Sequence, residues 1–125
     1  MRLYSMLFNN VTTKKVATLL GPVEVCPNPK EHLSTLYDRI LKILVTMPEE
    51  AVYRKHTESI VQDRLKSLQN APDILTFENK YQYQVEEMIY QARCEFITAL
   101  KMAEFKAWEP LVAKPPEDQW KWPIN

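Results

Sequence analysis

The residues through which this chain could do chemistry are few: two histidines, two cysteines and two pairs of adjacent glutamates. Cys26, His32, His56 and Cys94 have none of the close paired spacings that bring sulfur and nitrogen ligands onto one zinc ion, so a surface or packing role is expected for each. Glu49-Glu50 and Glu86-Glu87 are paired acids, but neighbouring residues on a helix point in different directions. General acid–base catalysis needs carboxylates that converge, and each pair reads instead as a solvated face or as charge at a helix N-terminus. Ser59, Ser67 and the threonines have no base and orienting group beside them in any recognisable pattern. A single glycine argues against phosphate-cradling loops. The expectation is a chain with no catalytic residue, no metal site and no cofactor of its own.

Charge narrows the partners. Sixteen Lys and Arg balance sixteen Asp and Glu in 125 residues, which speaks against a strong positive field for nucleic acid. The compact Arg54-Lys55-His56 cluster reads as a solvated helix surface or as an orienting contact with an acidic patch. Glu58 offers Arg54 a local partner four residues on. No window approaches the roughly 18 consecutive apolar residues of a spanning helix. The start, with Arg2, Lys14, Lys15 and no acid before Glu24, fits a mitochondrial presequence or an arm lying on another surface. Nothing pairs Cys26 with Cys94.

The elements that must position these residues are helices. Residues 1–27 have no sustained period and end in Gly21-Pro22 and Pro27-Asn28-Pro29. A first helix is predicted from there, with Asn28 as cap and Pro29 in the first turn. Leu33, Leu36, Tyr37, Ile40, Leu44 and Met47 form its apolar stripe up to Pro48. A second runs from about Glu49 to Gln69, with a break near His56-Thr57 and a buried face of Val52, Tyr53, Ile60, Val61, Leu65 and Leu68. Asn70-Ala-Pro72-Asp73 interrupts it, and a short helix or turn over Ile74–Asn79 follows. A third long helix covers residues 83–107, its apolar side marked by Val85, Met88, Ile89, Ala92, Phe96, Leu100 and Ala103. Three such stripes predict an all-α fold, a small antiparallel three-helix bundle over residues 28–107 with an irregular N-terminal arm (1–27).

Residues 108–125 are of another kind. Four prolines bias the backbone towards extended geometry, and all three tryptophans, Trp108, Trp120 and Trp122, lie here. Large amphipathic rings usually rest against something, so this extended Pro/Trp-rich tail either folds back over the bundle or clamps a partner, or does both. Trp108, Pro110, Leu111, Trp120, Trp122 and Pro123 are the first candidates for anchoring a partner or the tail itself. Arg54 and Lys55 come second, as an orienting contact.

Ala51-Val-Tyr-Arg-Lys-His-Thr-Glu58 together with Lys106-Ala-Trp-Glu-Pro-Leu-Val-Ala-Lys-Pro-Pro-Glu-Asp-Gln-Trp-Lys-Trp-Pro-Ile124 closely resembles the alpha-subcomplex subunit 5 family of mitochondrial NADH:ubiquinone oxidoreductase, also called the B13 or 13 kDa B accessory subunit. Val85-Glu-Glu-Met-Ile89, Gln91-Ala92 and Glu95 fit the same family, and the resemblance covers roughly residues 12–124. It departs at the first eleven residues and around Thr76–Tyr83, which is aromatic and polar where a more charged linker is expected. The resemblance implies a small helical, non-catalytic accessory subunit of respiratory complex I, peripheral to the mitochondrial inner membrane on its matrix side. It implies support of assembly or stability of the peripheral arm near the quinone-reducing module, and contact with core and accessory subunits, notably the 30 kDa iron–sulfur-fraction subunit. The host complex uses FMN, iron–sulfur clusters and ubiquinone; the resemblance implies none for this chain. An independent helical protein-binding adaptor is the alternative.

Overall fold

A computed structural model describes residues 15–123, and within them the chain is all-α with four helices and no strand. These are α1 (Pro29–Leu44), α2 (Val52–Asn70), α3 (Ile74–Tyr81) and α4 (Val85–Glu104). The expected three-helix count is corrected by α3, the segment read as a short helix or turn. Asp73 caps it by accepting a hydrogen bond from the Thr76 N–H at 2.7 Å, and Phe77 is buried beneath it. The presequence reading of the basic start falls on residues 1–14, outside the described residues, as do residues 124–125.

Helix α1 is the centre. It packs against both α2 and α4, while the direct backbone approach of α2 to α4 is slight. Lys30 donates to the carbonyl of Ala71, so the start of α1 lies beside the end of α2 and the two run antiparallel. His32 meets Arg93, and the backbone of Cys26 meets Glu86, so α1 and α4 climb in the same sense. All six residues of the predicted α1 stripe are buried, at 7% exposure or less. Each such aliphatic side chain removed from water contributes about 1.5–3 kcal/mol. Asn28 makes no side-chain cap bond, in contrast to expectation; Pro29 starts the helix without needing one of its own N–H donors.

The α2 face differs from its prediction. The helix is continuous through His56-Thr57 and begins at Val52, after the Pro48–Glu50 turn. Thr57, Val61 and Leu68 are its buried residues, whereas Val52 and Ile60 are exposed. Helix α2 packs mainly on α1, with α3 touching only its C-terminal half, and apolar residues off these narrow contacts point outward. On α4, Val85, Met88, Ile89, Ala92 and Ala99 are buried, Phe96 and Ala103 are half-buried, and Leu100 is exposed.

Candidate functional site

The end of α4 sets up the tail. The N–H of Lys106 bonds the carbonyl of Ala103 at 3.3 Å and that of Ala107 bonds the carbonyl of Met102 at 3.1 Å, the paired closure of a Schellman motif. Lys106 takes the left-handed conformation (φ 48°) that glycine usually fills at this place. The helix therefore stops three residues earlier than its apolar period suggests, and the chain turns sharply. Trp108 is carried back against the hydrophobic core and is half-buried.

Beyond it the tail separates from the body. Pro110, Leu111, Trp120, Trp122 and Pro123 are all exposed, with Trp120 at 91% and Trp122 at 82%. Only short local turns order this segment, in which the N–H of Gln119 reaches the carbonyl of Pro116 and that of Lys121 reaches Asp118. The six tail residues singled out from sequence thus fall into one core anchor and five solvent-facing positions.

The two basic candidates also part company. Arg54 is half-buried, donates to the carbonyl of Met47 at 2.5 Å and lies 3.5 Å from Glu58. It ties the α1–α2 turn to the first turn of α2. Lys55 is exposed.

A second site, missed by sequence reasoning, lies where the N-terminal arm crosses α3 and α4. Lys15 Nζ is 2.7 Å from Glu78 and 2.6 Å from Glu86. Glu86 is only 4% exposed and accepts from the Cys26 N–H, while Glu78 accepts from the Val85 N–H at the start of α4. Of the two readings of Glu86, a solvated face or charge at a helix N-terminus, the structure supports the second: it stands in the first turn of α4, where the arm covers it and supplies a cation. Its neighbour Glu87 behaves as expected, accepting from the Gln84 N–H at the helix N-terminus. Burial alone would push the Lys15 ammonium down, but the two carboxylates outweigh it and hold the group above its ordinary range. Beneath the arm, Lys15, Cys26, Ile74, Leu75 and Val85 line a cavity of about 700 Å³. No local spacing announces a clamp between residues 71 positions apart.

Cys26 and His32 do approach, with Sγ 3.7 Å from Nδ1, and the Arg93 guanidinium lies 3.5 Å from Nε2. Cys94 is exposed elsewhere, and both cysteines are free. Among the described residues no three histidine, cysteine or acidic side chains converge as a metal site. No helix of the described residues is long and apolar enough to cross a membrane.

Residues 23–88 match the family model described as the ETC complex I subunit conserved region, which spans the end of the arm, α1 to α3 and the first turn of α4. Over 112 residues the chain is 46% identical to NADH dehydrogenase (ubiquinone) 1 alpha subcomplex subunit 5 of Bos taurus, covering 89% of this chain and 96% of that one. It is 41% identical over 112 residues to the probable subunit 5 of Caenorhabditis elegans, covering 89% and 74% respectively. With the subunit MCI4 of Candida albicans the identity is 36% over 107 residues, covering 84% of this chain and 77% of the relative.

Proposed function

This chain belongs to the alpha-subcomplex subunit 5 family of NADH dehydrogenase (ubiquinone), and from that membership we propose that it stabilises the matrix-side peripheral arm of mitochondrial complex I near the quinone-reducing module. Members of this family are accessory subunits and not the enzyme itself; the chain's contribution to electron transfer is through the assembly it joins. The near full-length match to the Bos taurus subunit is the observation that carries this reading.

In this reading the helical body, residues 28–107, is a rigid support and residues 108–125 are the grip. Two tryptophans exposed above 80% are a liability in a free monomer and an asset at an interface, where aromatic residues dominate binding energy. Trp108 holds the root of the tail on the body, and Pro110, Leu111, Trp120, Trp122 and Pro123 meet a partner. Lys55 orients the contact from α2, and Arg54 stiffens the turn beside it. The partner proposed first is the 30 kDa iron–sulfur-fraction subunit. FMN, iron–sulfur clusters and ubiquinone belong to the host complex.

Native separation of inner-membrane assemblies tests this reading, with the full chain and a form truncated after Lys106 compared. Co-migration of the full chain with a large NADH-oxidising assembly, and its loss on truncation with helicity retained, is the expected result. Consistent absence of the full chain from that assembly would favour the independent adaptor. Normal incorporation of the truncated form would remove the tail from the interface.

A further inference from the structure

We propose that Cys26 is a thiol–disulfide exchange site for a small peptide-like disulfide that carries both carboxylate and ammonium groups. Its parts come from three elements: Cys26 from the arm, His32 from the first turn of α1 and Arg93 from α4. The Cys26 sulfur belongs to a half-buried side chain and lies 3.7 Å from His32 Nδ1, while Arg93 Nη2 lies 3.5 Å from His32 Nε2.

This arrangement fixes which nitrogen of the neutral ring carries the hydrogen. A guanidinium has donors and no acceptor, so Nε2 accepts from Arg93 and Nδ1–H faces the sulfur. His32 therefore donates to Cys26 and does not take its proton. An N–H aimed at sulfur stabilises the negative charge that the sulfur bears as it attacks. The sulfur of Cys94, exposed on α4, has no such donor among the described residues.

The cavity beside Cys26 says what the incoming disulfide carries. Its volume is about 510 Å³, and Val23, Pro27, Ile89 and Tyr90 give it apolar walls. Arg93 and Glu24 also line it, both exposed and neither in an ion pair among the described residues. Glu86 lines it too, but Lys15 already meets its charge. The Arg93 fork suits a carboxylate, and Glu24 suits an ammonium. A small disulfide with both groups answers the two charges at once; a purely apolar or purely anionic one leaves at least one unanswered. In the exchange, the Cys26 sulfur attacks one sulfur of the disulfide, and a new S–S bond forms as the old one breaks. The Cys26 sulfur is oxidised and the departing sulfur reduced. The proton that Cys26 gives to solvent is matched by one that the departing thiolate takes up.

The test treats the reduced full chain with oxidised glutathione, which has both groups, and follows the adduct at each cysteine by mass spectrometry. Cys26 is expected to react about tenfold faster than Cys94, although Cys94 is the more exposed. His32→Ala should remove that advantage and leave the rate at Cys94, the internal control, unchanged. His32→Asn, which keeps an N–H near the place of Nδ1, should restore most of it. Arg93→Gln keeps a donor for Nε2 but no charge. It should slow Cys26 more with oxidised glutathione than with the uncharged bis(2-hydroxyethyl) disulfide. Equal or faster reaction at Cys94, a Cys26 rate indifferent to His32→Ala, or a loss that His32→Asn does not restore overturns the proposal. Equal slowing with both disulfides on Arg93→Gln overturns the assignment of a carboxylate-bearing partner.

Discussion

Lys15 Nζ lies 2.6 Å from Glu86 Oε2, so an ammonium on the N-terminal arm neutralises a carboxylate buried at the start of α4. Glu78 on α3 shares the same cation. One side chain thus links the arm to two helices that meet there.

Removing that cation leaves two carboxylates facing each other under the arm. Lys15→Met is expected to lower stability by about 1–3 kcal/mol, measured by denaturant unfolding at neutral pH. The pH dependence has a definite sign. Because the folded-state pKa of Lys15 lies above its ordinary 10.5, its contribution is complete below that value and fades as pH rises through the raised one. From neutral pH upward, the stability gap between wild type and Lys15→Met should stay flat and close in strong alkali; a gap that closes between pH 7 and about 9 contradicts the clamp.

Tyr53 and Tyr37 should resist ionisation. Burial, reinforced by the Glu95 carboxylate, pushes the Tyr53 phenol far up, and burial pushes Tyr37 up against the opposing charge of Arg64. Both phenols favour the fold in their protonated form, so their contribution is present below about pH 10 and lost above it. Ultraviolet titration of the folded chain should show two tyrosines that ionise only with alkaline unfolding. Tyr53→Phe and Tyr37→Phe should each remove one of those late equivalents.

The three tryptophans should behave as two classes. Acrylamide should quench Trp120 and Trp122 freely and Trp108 weakly, as single-tryptophan variants would report. Trp108→Ala should destabilise the isolated chain by about 1–3 kcal/mol, while Trp120→Ala and Trp122→Ala stay within about 0.5 kcal/mol. Equal quenching of all three would remove Trp108 as the anchor of the tail.

Lys106→Gly is expected to stabilise the chain by about 0.5–1 kcal/mol, because glycine adopts the left-handed turn at the end of α4 without the Cβ clash. The lost contact to Glu109, at 3.8 Å and largely in solvent, offsets little of this. A thermal melt decides it: an unchanged or lower midpoint would mean that the Lys106 conformation carries no strain.

What could be read from sequence follows how local each cause is. The α1 stripe is fully legible, because a helix packed on two sides buries every apolar residue of a broad face, from Leu33 to Met47. On α2, apolar spacing identifies the helix but misplaces Val52 and Ile60, since periodicity does not report how wide the contact is. The burial of Glu86 at the start of α4 is not legible, because the cation that permits it arrives from Lys15 on the distant arm. The aromatic and proline content marks the tail at once. Its division into Trp108 and the rest depends on a turn at Lys106, a residue that does not announce a left-handed conformation.

The central place of α1 also governs the order in which the fold can be completed. Its two buried sides need α2, which follows at once, and α4, which begins at Val85. A chain emerging from its N-terminus therefore carries a half-covered α1 until α4 is available, with an apolar side of Leu33 and Ile40 open to solvent or to other chains. Such transient exposure is the usual route to aggregation and a target for chaperones. Truncations within α4 are accordingly more hazardous to production of the protein than loss of the whole tail, since they leave the middle helix permanently uncovered.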